Sequence, residues 1–342
     1  MLYLPTYLTH YMFNKPFDFV AIGDITTDVF IKIKDAHVTC SIDNTKCEIC
    51  MKFADKVPFE SATEVRAVGN SANASVSASR LGLRGALISD IGNDQNGRDC
   101  LSELARNKVS SKYVSTHRNM ETNYHYVLWY DNERTILVNH KEYPYRLPNL
   151  KAPKWLYLSS LASNSFDYHL EIIAFLKAHP ETRLAFQPGT FQMKLGKEKL
   201  ADLYTLSEVF VCNLEEAERI LGETEPNIKN LLSKMRALGP KLVLLTDGPK
   251  GAYMDDGTNQ YFMPIYPDPK PPFERTGCGD AFASTFVTAL SLGKSPLEAL
   301  MWAPINPMSV VQYVGAQKGL LDRPTLEKYL AEAPADYKPK VI

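Results

Sequence analysis

Long apolar runs are absent from this chain. Nowhere do about 18 apolar residues follow one another, which excludes a conventional membrane-spanning helix. An excess of either charge is missing as well: 38 Lys and Arg stand against 39 Asp and Glu, a net charge of −1. No global field therefore draws the protein to nucleic acid or an anionic membrane, and any phosphate recognition has to be local. Cysteine is scarce. Six in 342 residues are too few for a disulfide scaffold, and those outside a cluster at Cys40, Cys47 and Cys50 read as thiols. Residues 1–17 lack the basic segment and apolar run of an export signal, which points to the cytoplasm. What remains, 45% hydrophobic and 23% charged, is the composition of a folded globular protein. Its length suits one large α/β domain with an appendage.

Residues 17–23, FDFVAIG, are short, apolar and β-branched, as a buried strand should be, and they end in the carboxylate-rich turn GDITTD. From residue 34 to 65 the pattern turns polar and irregular, which suggests an insertion outside the central sheet. Residues 122–138, TNYHYVLWYDNERTILV, carry the aromatic and β-branched alternation of a hairpin. Segments of about 29–65 and 122–138 are thus expected to form a small β lid, beside an N-terminal extension at 1–16 and a main domain at 17–342. Elsewhere helix and strand patterns alternate: helices near 70–81, 95–107, 168–178, 214–221 and 227–238, strands near 86–92, 155–160, 183–187, 208–213 and 241–246. That alternation predicts a three-layer α/β/α domain around a mostly parallel sheet. The five prolines of residues 264–274 impose a stiff extended loop, and helices at 296–314 and 324–330 close the chain.

The loop leads into TGCGDAFASTF, residues 276–286, where a Gly-x-Gly-Asp turn opens a helix. A helix start presents unpaired N–H groups and the positive end of the dipole, which together bind an anion. Gly277 and Gly279 let the backbone approach that anion closely. Asp280, in the first turn, could accept the proton of a hydroxyl attacking a phosphoryl group. The plainer alternative is a carboxylate that only favours the helix dipole.

Taken in order, GDITTD, AVGNSANASVSASRLG (67–82), IGNDQNG (91–97), NLEE (213–216), LLTDGPKGAYM (244–254), TGCGDAFASTF and VGAQKG (314–319) resemble the motifs of the ribokinase-like, PfkB-type carbohydrate kinases. The resemblance runs from about residue 17 to 330. It implies an ATP- and Mg2+-dependent transfer of phosphate to a hydroxyl of a sugar or nucleoside, with Asp280 as base and the amides of Gly277, Cys278 and Gly279 around the phosphoryl group. Asp24 and Asp28 would face the substrate hydroxyls, and Gly69, Asn70 and Asn73 would line the sugar pocket and hinge the lid. Asn213, Thr246, Gly248, Gly251, Thr276 and Gly315 would belong to the nucleotide site, and Glu216 would reach magnesium through water. Asp and Asn suit polyol hydroxyls, since both accept and Asn also donates in fixed directions. The family's lids often pair, which implies a homodimer through an apolar lid face at Tyr124, Tyr126, Leu128 and Tyr130.

Departures from the family pattern are visible. Its usual Asp-Thr-Thr-Gly-Ala-Gly-Asp is Glu274, Arg275, Thr276, Gly277, Cys278, Gly279, Asp280 here, which puts the usual monovalent-cation (K+) site in question. Val68-Gly69 replaces a double glycine and implies a stiffer hinge. The adenine-side Asn stays unplaced, with Pro304 and Asn306 both near it.

Other patterns are weaker. Cys40, Cys47 and Cys50 read as three lid thiols, against a rival zinc site completed by a ligand such as His37. Gly293-Lys294-Ser295 is no phosphate loop, because Thr288 stands where the first glycine is needed. No Gly-x-Gly-x-x-Gly follows the first strand, which weakens a nucleotide-binding oxidoreductase. His140 and Lys141 read as solvated. A catalytically inactive, ligand-sensing relative is the other rival function, favoured by Glu274 and Arg275.

Overall fold

Phe19–Ile22 (β1) is buried along its whole length, as an apolar run at the centre of a parallel sheet must be. Its side chains part by alternation. Phe19 and Ala21 enter one hydrophobic core, Val20 and Ile22 the other, and Trp155 and Tyr157 divide in the same way from Leu156 and Leu158. Two cores flanking one sheet make the three-layer α/β/α architecture. The computed structural model describes residues 15–41, 47–131, 133–224 and 227–342. The extension expected at 1–16 lies outside them apart from residues 15 and 16, as does Asn132 in the hairpin turn.

After β1 come β2 (Thr26–Ile33), β3 (His37–Cys40), β4 (Cys47–Cys50), β5 (Phe59–Val68), β6 (Gly85–Gly92), β7 (Ser110–His117), β8 (Asn123–Tyr130) and β9 (Glu133–Asn139). β10 (Trp155–Leu158), β11 (Arg183–Phe186), β12 (Ser207–Asn213), β13 (Leu242–Thr246), β14 (Ala252–Asp255), β15 (Gln260–Met263) and β16 (Lys340–Val341) follow. Among the described residues the large sheet has ten strands in the order β16-β15-β14-β13-β12-β11-β10-β1-β6-β7. It is parallel from β7 through β13, and its last three strands are antiparallel.

A second sheet, in the order β5-β2-β8-β9, unites the two segments expected to lie outside the main sheet. β8 runs parallel to β2, β5 and β9 antiparallel to their neighbours. β5 corrects the reading of residues 34–65 as irregular: it is a ten-residue strand. As an edge strand, exposed through most of its length, it has no need of the apolar alternation by which strands are recognised. The helix expected over 296–314 is two, Pro296–Trp302 and Ile305–Val310, because Pro304 brings no N–H to continue the first.

The cysteine cluster also departs from expectation. Cys40 and Cys47 are joined by a disulfide across the β3–β4 hairpin, so they are not thiols. Cys50 lies three residues from Cys47, an odd step that turns it to the other face of the hairpin. Zinc coordination by the three sulfurs does not fit this arrangement, and among the described residues no group of three His, Cys, Asp or Glu gathers as a metal site. No described helix is long and apolar enough to cross a membrane.

Candidate active site

Parallel strands end together, so the residues just past β1, β10, β11, β12 and β13 crowd one edge of the sheet, where an α/β domain forms its crevice. Asp24 follows β1, Gln187 follows β11, and Asn213 and Thr246 are register partners at the ends of β12 and β13. The helix Asn70–Arg80 and the helix Cys278–Ser291 complete the edge from one side.

Asp280 sits in the first turn of the second of these helices and is only 7% exposed. Its carboxylate accepts hydrogen bonds from Asn70 Nδ2 at 2.9 Å, Asn73 Nδ2 at 2.8 Å and Gln187 Nε2 at 3.2 Å. Those donors are themselves held. Asn73 Oδ1 accepts from Gln317 Nε2, and Gln187 Oε1 from the Tyr157 hydroxyl. Burial pushes the Asp280 carboxyl above the ordinary carboxylate range, against the lowering effect of the three amides. Three side-chain amides from two other elements thus converge on one carboxylate, more partners than the helix dipole alone requires.

The turn before Asp280 is built for close approach. Gly277 has φ 81°, and a Cβ there would come within 2.2 Å of the Ala316 Cβ, so this turn abuts the one at 314–316. Glu274 ties the two together: its buried carboxylate accepts from the Thr276 N–H at 2.7 Å, from the Thr276 hydroxyl and from the Gly315 N–H at 3.3 Å. Burial, with Glu274 nearby, pushes the Cys278 thiol up to about 12, so it stays neutral at the helix start.

Across the crevice the Asp24 carboxylate takes the Tyr145 hydroxyl at 2.8 Å and His140 Nε2 at 2.7 Å. His140, expected in solvent, is thus part of the site, and Lys141 pairs with Glu121 at 2.8 Å. Asp28 on β2 lies 3.3 Å from His125 of β8, its register partner. Gly69, with φ 111°, leaves no space for a side chain, since a Cβ would stand 2.4 Å from the Asp24 carbonyl.

Not every expected residue joins this cluster. Asn213 and Glu216 form a reciprocal helix cap, Asn213 N–H to Glu216 Oε2 at 2.9 Å and Glu216 N–H to Asn213 Oδ1 at 2.8 Å. Burial raises the Glu216 carboxyl, and the charge of Asp280 adds to that, which places the two in electrostatic reach. Gly248 and Gly251 shape the corner between β13 and β14, where Gly251 packs against Met263 and Phe262. Asn306 is buried away from solvent, donating to Thr285 and Ser77. Gln187, Tyr157, His125 and Tyr145 escaped the sequence reading, which placed His140 in solvent. Only Gln187 carried a signal, its position directly after a strand.

Residues 38–323 match the pfkB family carbohydrate kinase description. The chain is 24% identical over 332 residues to an ATP-dependent 6-phosphofructokinase of Thermoanaerobacterium thermosaccharolyticum, covering 92% of this chain and 94% of that one. It is 25% identical over 272 residues to the ribokinase of Bacillus subtilis, covering 77% and 87%. The Arabidopsis thaliana ribokinase, solved with ribose and ATP, superposes with a TM-score of 0.77 at 21% identity, over 92% of this chain and 99% of that one.

Proposed function

The chain belongs to the pfkB family of carbohydrate kinases, and from that premise we propose that it transfers the γ-phosphoryl group of ATP to a hydroxyl of an uncharged sugar or nucleoside. The observation that carries this reading is Asp280, a buried carboxylate aimed by three amides beside an amide-lined helix start. In the proposed reaction Asp280 takes the hydroxyl proton, the hydroxyl oxygen bonds to the γ-phosphorus, the bond to the β–γ bridging oxygen breaks, and ADP leaves. The amides of residues 277–279 stabilise charge on the phosphoryl oxygens. Asn213, Thr246, Gly248, Gly251, Thr276 and Gly315 frame the nucleotide. Magnesium would be held by Glu216, through water, and would neutralise phosphate charge; a lone, half-buried carboxylate fits an ion that keeps most of its water. The second sheet acts as the lid, hinged at Gly69.

The acceptor end supports an uncharged substrate. Asp24, Asp28 and Asp280 stand at it, the first two beside His140 and His125, and a phosphate already on the sugar would come near three carboxylates. ATP consumption over a panel of sugars, their monophosphates and nucleosides tests the reading. Neutral acceptors are expected to exceed the corresponding phosphates by at least about 10-fold in kcat/KM. If no sugar or nucleoside accelerates ATP consumption, the kinase reading fails. A catalytically silent relative is disfavoured by the intact set of partners around Asp280.

We also propose that the outer face of the lid pairs two copies. Val29, Tyr126 and Leu137 line up across β2, β8 and β9, with Tyr126 44% and Leu137 51% exposed. Light scattering at micromolar concentration should give a dimer, and Leu137→Asp a monomer. A monomeric parent sinks this idea.

A further inference from the structure

The tip of the β8–β9 hairpin is docked on the anion-binding turn. Trp129 meets Phe273 edge to face, ring centroids 5.1 Å apart, and its indole N–H is fixed on the Asp131 carbonyl at 2.9 Å. Arg134, the register partner of Trp129 across the hairpin, carries its guanidinium to Glu274 at 3.5 Å. β5 rests on the same region, since a Cβ on Gly315 would meet Val65 Cγ2 at 3.0 Å.

The Arg134–Glu274 contact explains little by itself. Glu274 already accepts from the Thr276 and Gly315 amides, so its orientation needs no lid residue. At 3.5 Å the pair is longer than the about 2.7–2.9 Å of a charge-assisted hydrogen bond, and the guanidinium has five donors to place. Its side chain is 35% exposed, against 5% for that of Glu274. Glu274, which Arg134 contacts, holds the Thr276 amide just before the helix that starts at Cys278, so this cation stands at the same end of the helix as the amides and the dipole that attract an anion.

We propose that Arg134 is the lid's own phosphate-binding residue: with the hairpin docked, its guanidinium engages the γ-phosphate of a nucleotide seated on the 276–279 turn. This rests on the ATP-binding part of the reading above. It makes lid closure and charge neutralisation one event, because only the docked hairpin brings the guanidinium to the phosphate.

The test compares Arg134→Gln with the parent by calorimetric titration of ATP and ADP, and by turnover with the best acceptor. ATP affinity is expected to fall about 10-fold with ADP affinity unchanged within about twofold, and turnover to fall about 10²-fold. A second variant separates a phosphate contact from mere balance of Glu274. If Arg134→Gln/Glu274→Gln recovers the ATP affinity and turnover of Glu274→Gln alone, Arg134 is only a counter-ion and the proposal is overturned. Equal weakening of ATP and ADP, or no weakening, overturns it too. The titrations need no acceptor: a parent that binds ATP through Arg134 but phosphorylates nothing defeats the kinase reading alone. A parent that binds no ATP defeats both.

Discussion

Asp280→Asn is expected to lower turnover by about 10²–10⁴ while leaving ATP affinity in place, because the variant loses a proton acceptor and nothing else that the nucleotide touches. Asn is nearly isosteric, but its amide brings a donor where three donors already converge. Asn70 and Gln187 donate to one carboxylate oxygen and Asn73 to the other, so whichever oxygen becomes an NH2 group, at least one partner that is itself held by Gln317 or Tyr157 meets a donor and has to shift. That rearrangement costs something, and removing a buried carboxylate returns something. The sign follows from the raised carboxyl: a group whose folded value lies above its unfolded one stabilises below the unfolded value, and that contribution is lost as pH rises through the folded value. At neutral pH Asp280 therefore weighs against the fold, and the melting temperature of Asp280→Asn should stay close to that of the parent. The same shift predicts that turnover climbs with pH through a value above the ordinary carboxylate range, since the ionised form is the base. Turnover within a few-fold of the parent would remove Asp280 from the role of base. Loss of turnover together with a collapse in melting temperature would make it a structural residue.

Gly277→Ala is expected to cost about 10²-fold in turnover and to destabilise the protein as well. Two effects combine. A non-glycine residue at φ 81° is strained by roughly 1–2 kcal/mol. The new Cβ would also lie 2.2 Å from the Ala316 Cβ and 2.6 Å from its Cα, so one of two backbone turns has to move. A displacement of about 1 Å in the amides of residues 277–279 suffices for the loss of rate. Gly293→Ala isolates the strain, because Gly293 has φ 86° with nothing within 4 Å of a built Cβ. It should lower the melting temperature and leave turnover alone. A Gly277→Ala protein that turns over like Gly293→Ala would show that the amides of this turn are not what stabilises the phosphoryl group.

Much of this was legible in sequence because the signals are local. The division of β1 between two cores follows from four apolar residues in a row and the two-residue period of a strand. Gly277 and Asp280 announce themselves by spacing, since a helix start and its glycines lie within one short segment. β5 stayed hidden because an exposed edge strand obeys no apolar alternation. The Cys40–Cys47 bridge stayed hidden because a thiol count does not say which residues a hairpin sets opposite each other.

The sequence by itself determined the layers and the order of the motifs, and it singled out Asp280 as the candidate base, all of which depend on residues near one another in the chain. Only the tertiary structure decided what surrounds that carboxylate. Asp280 meets Asn70 across 210 positions, Asn73 across 207 and Gln187 across 93, and Asp24 meets His140 across 116. Arg134 reaches Glu274 from another sheet. No spacing encodes such meetings, because they arise where parallel strands end side by side and where a docked hairpin comes to rest, and both are fixed by packing of the whole domain.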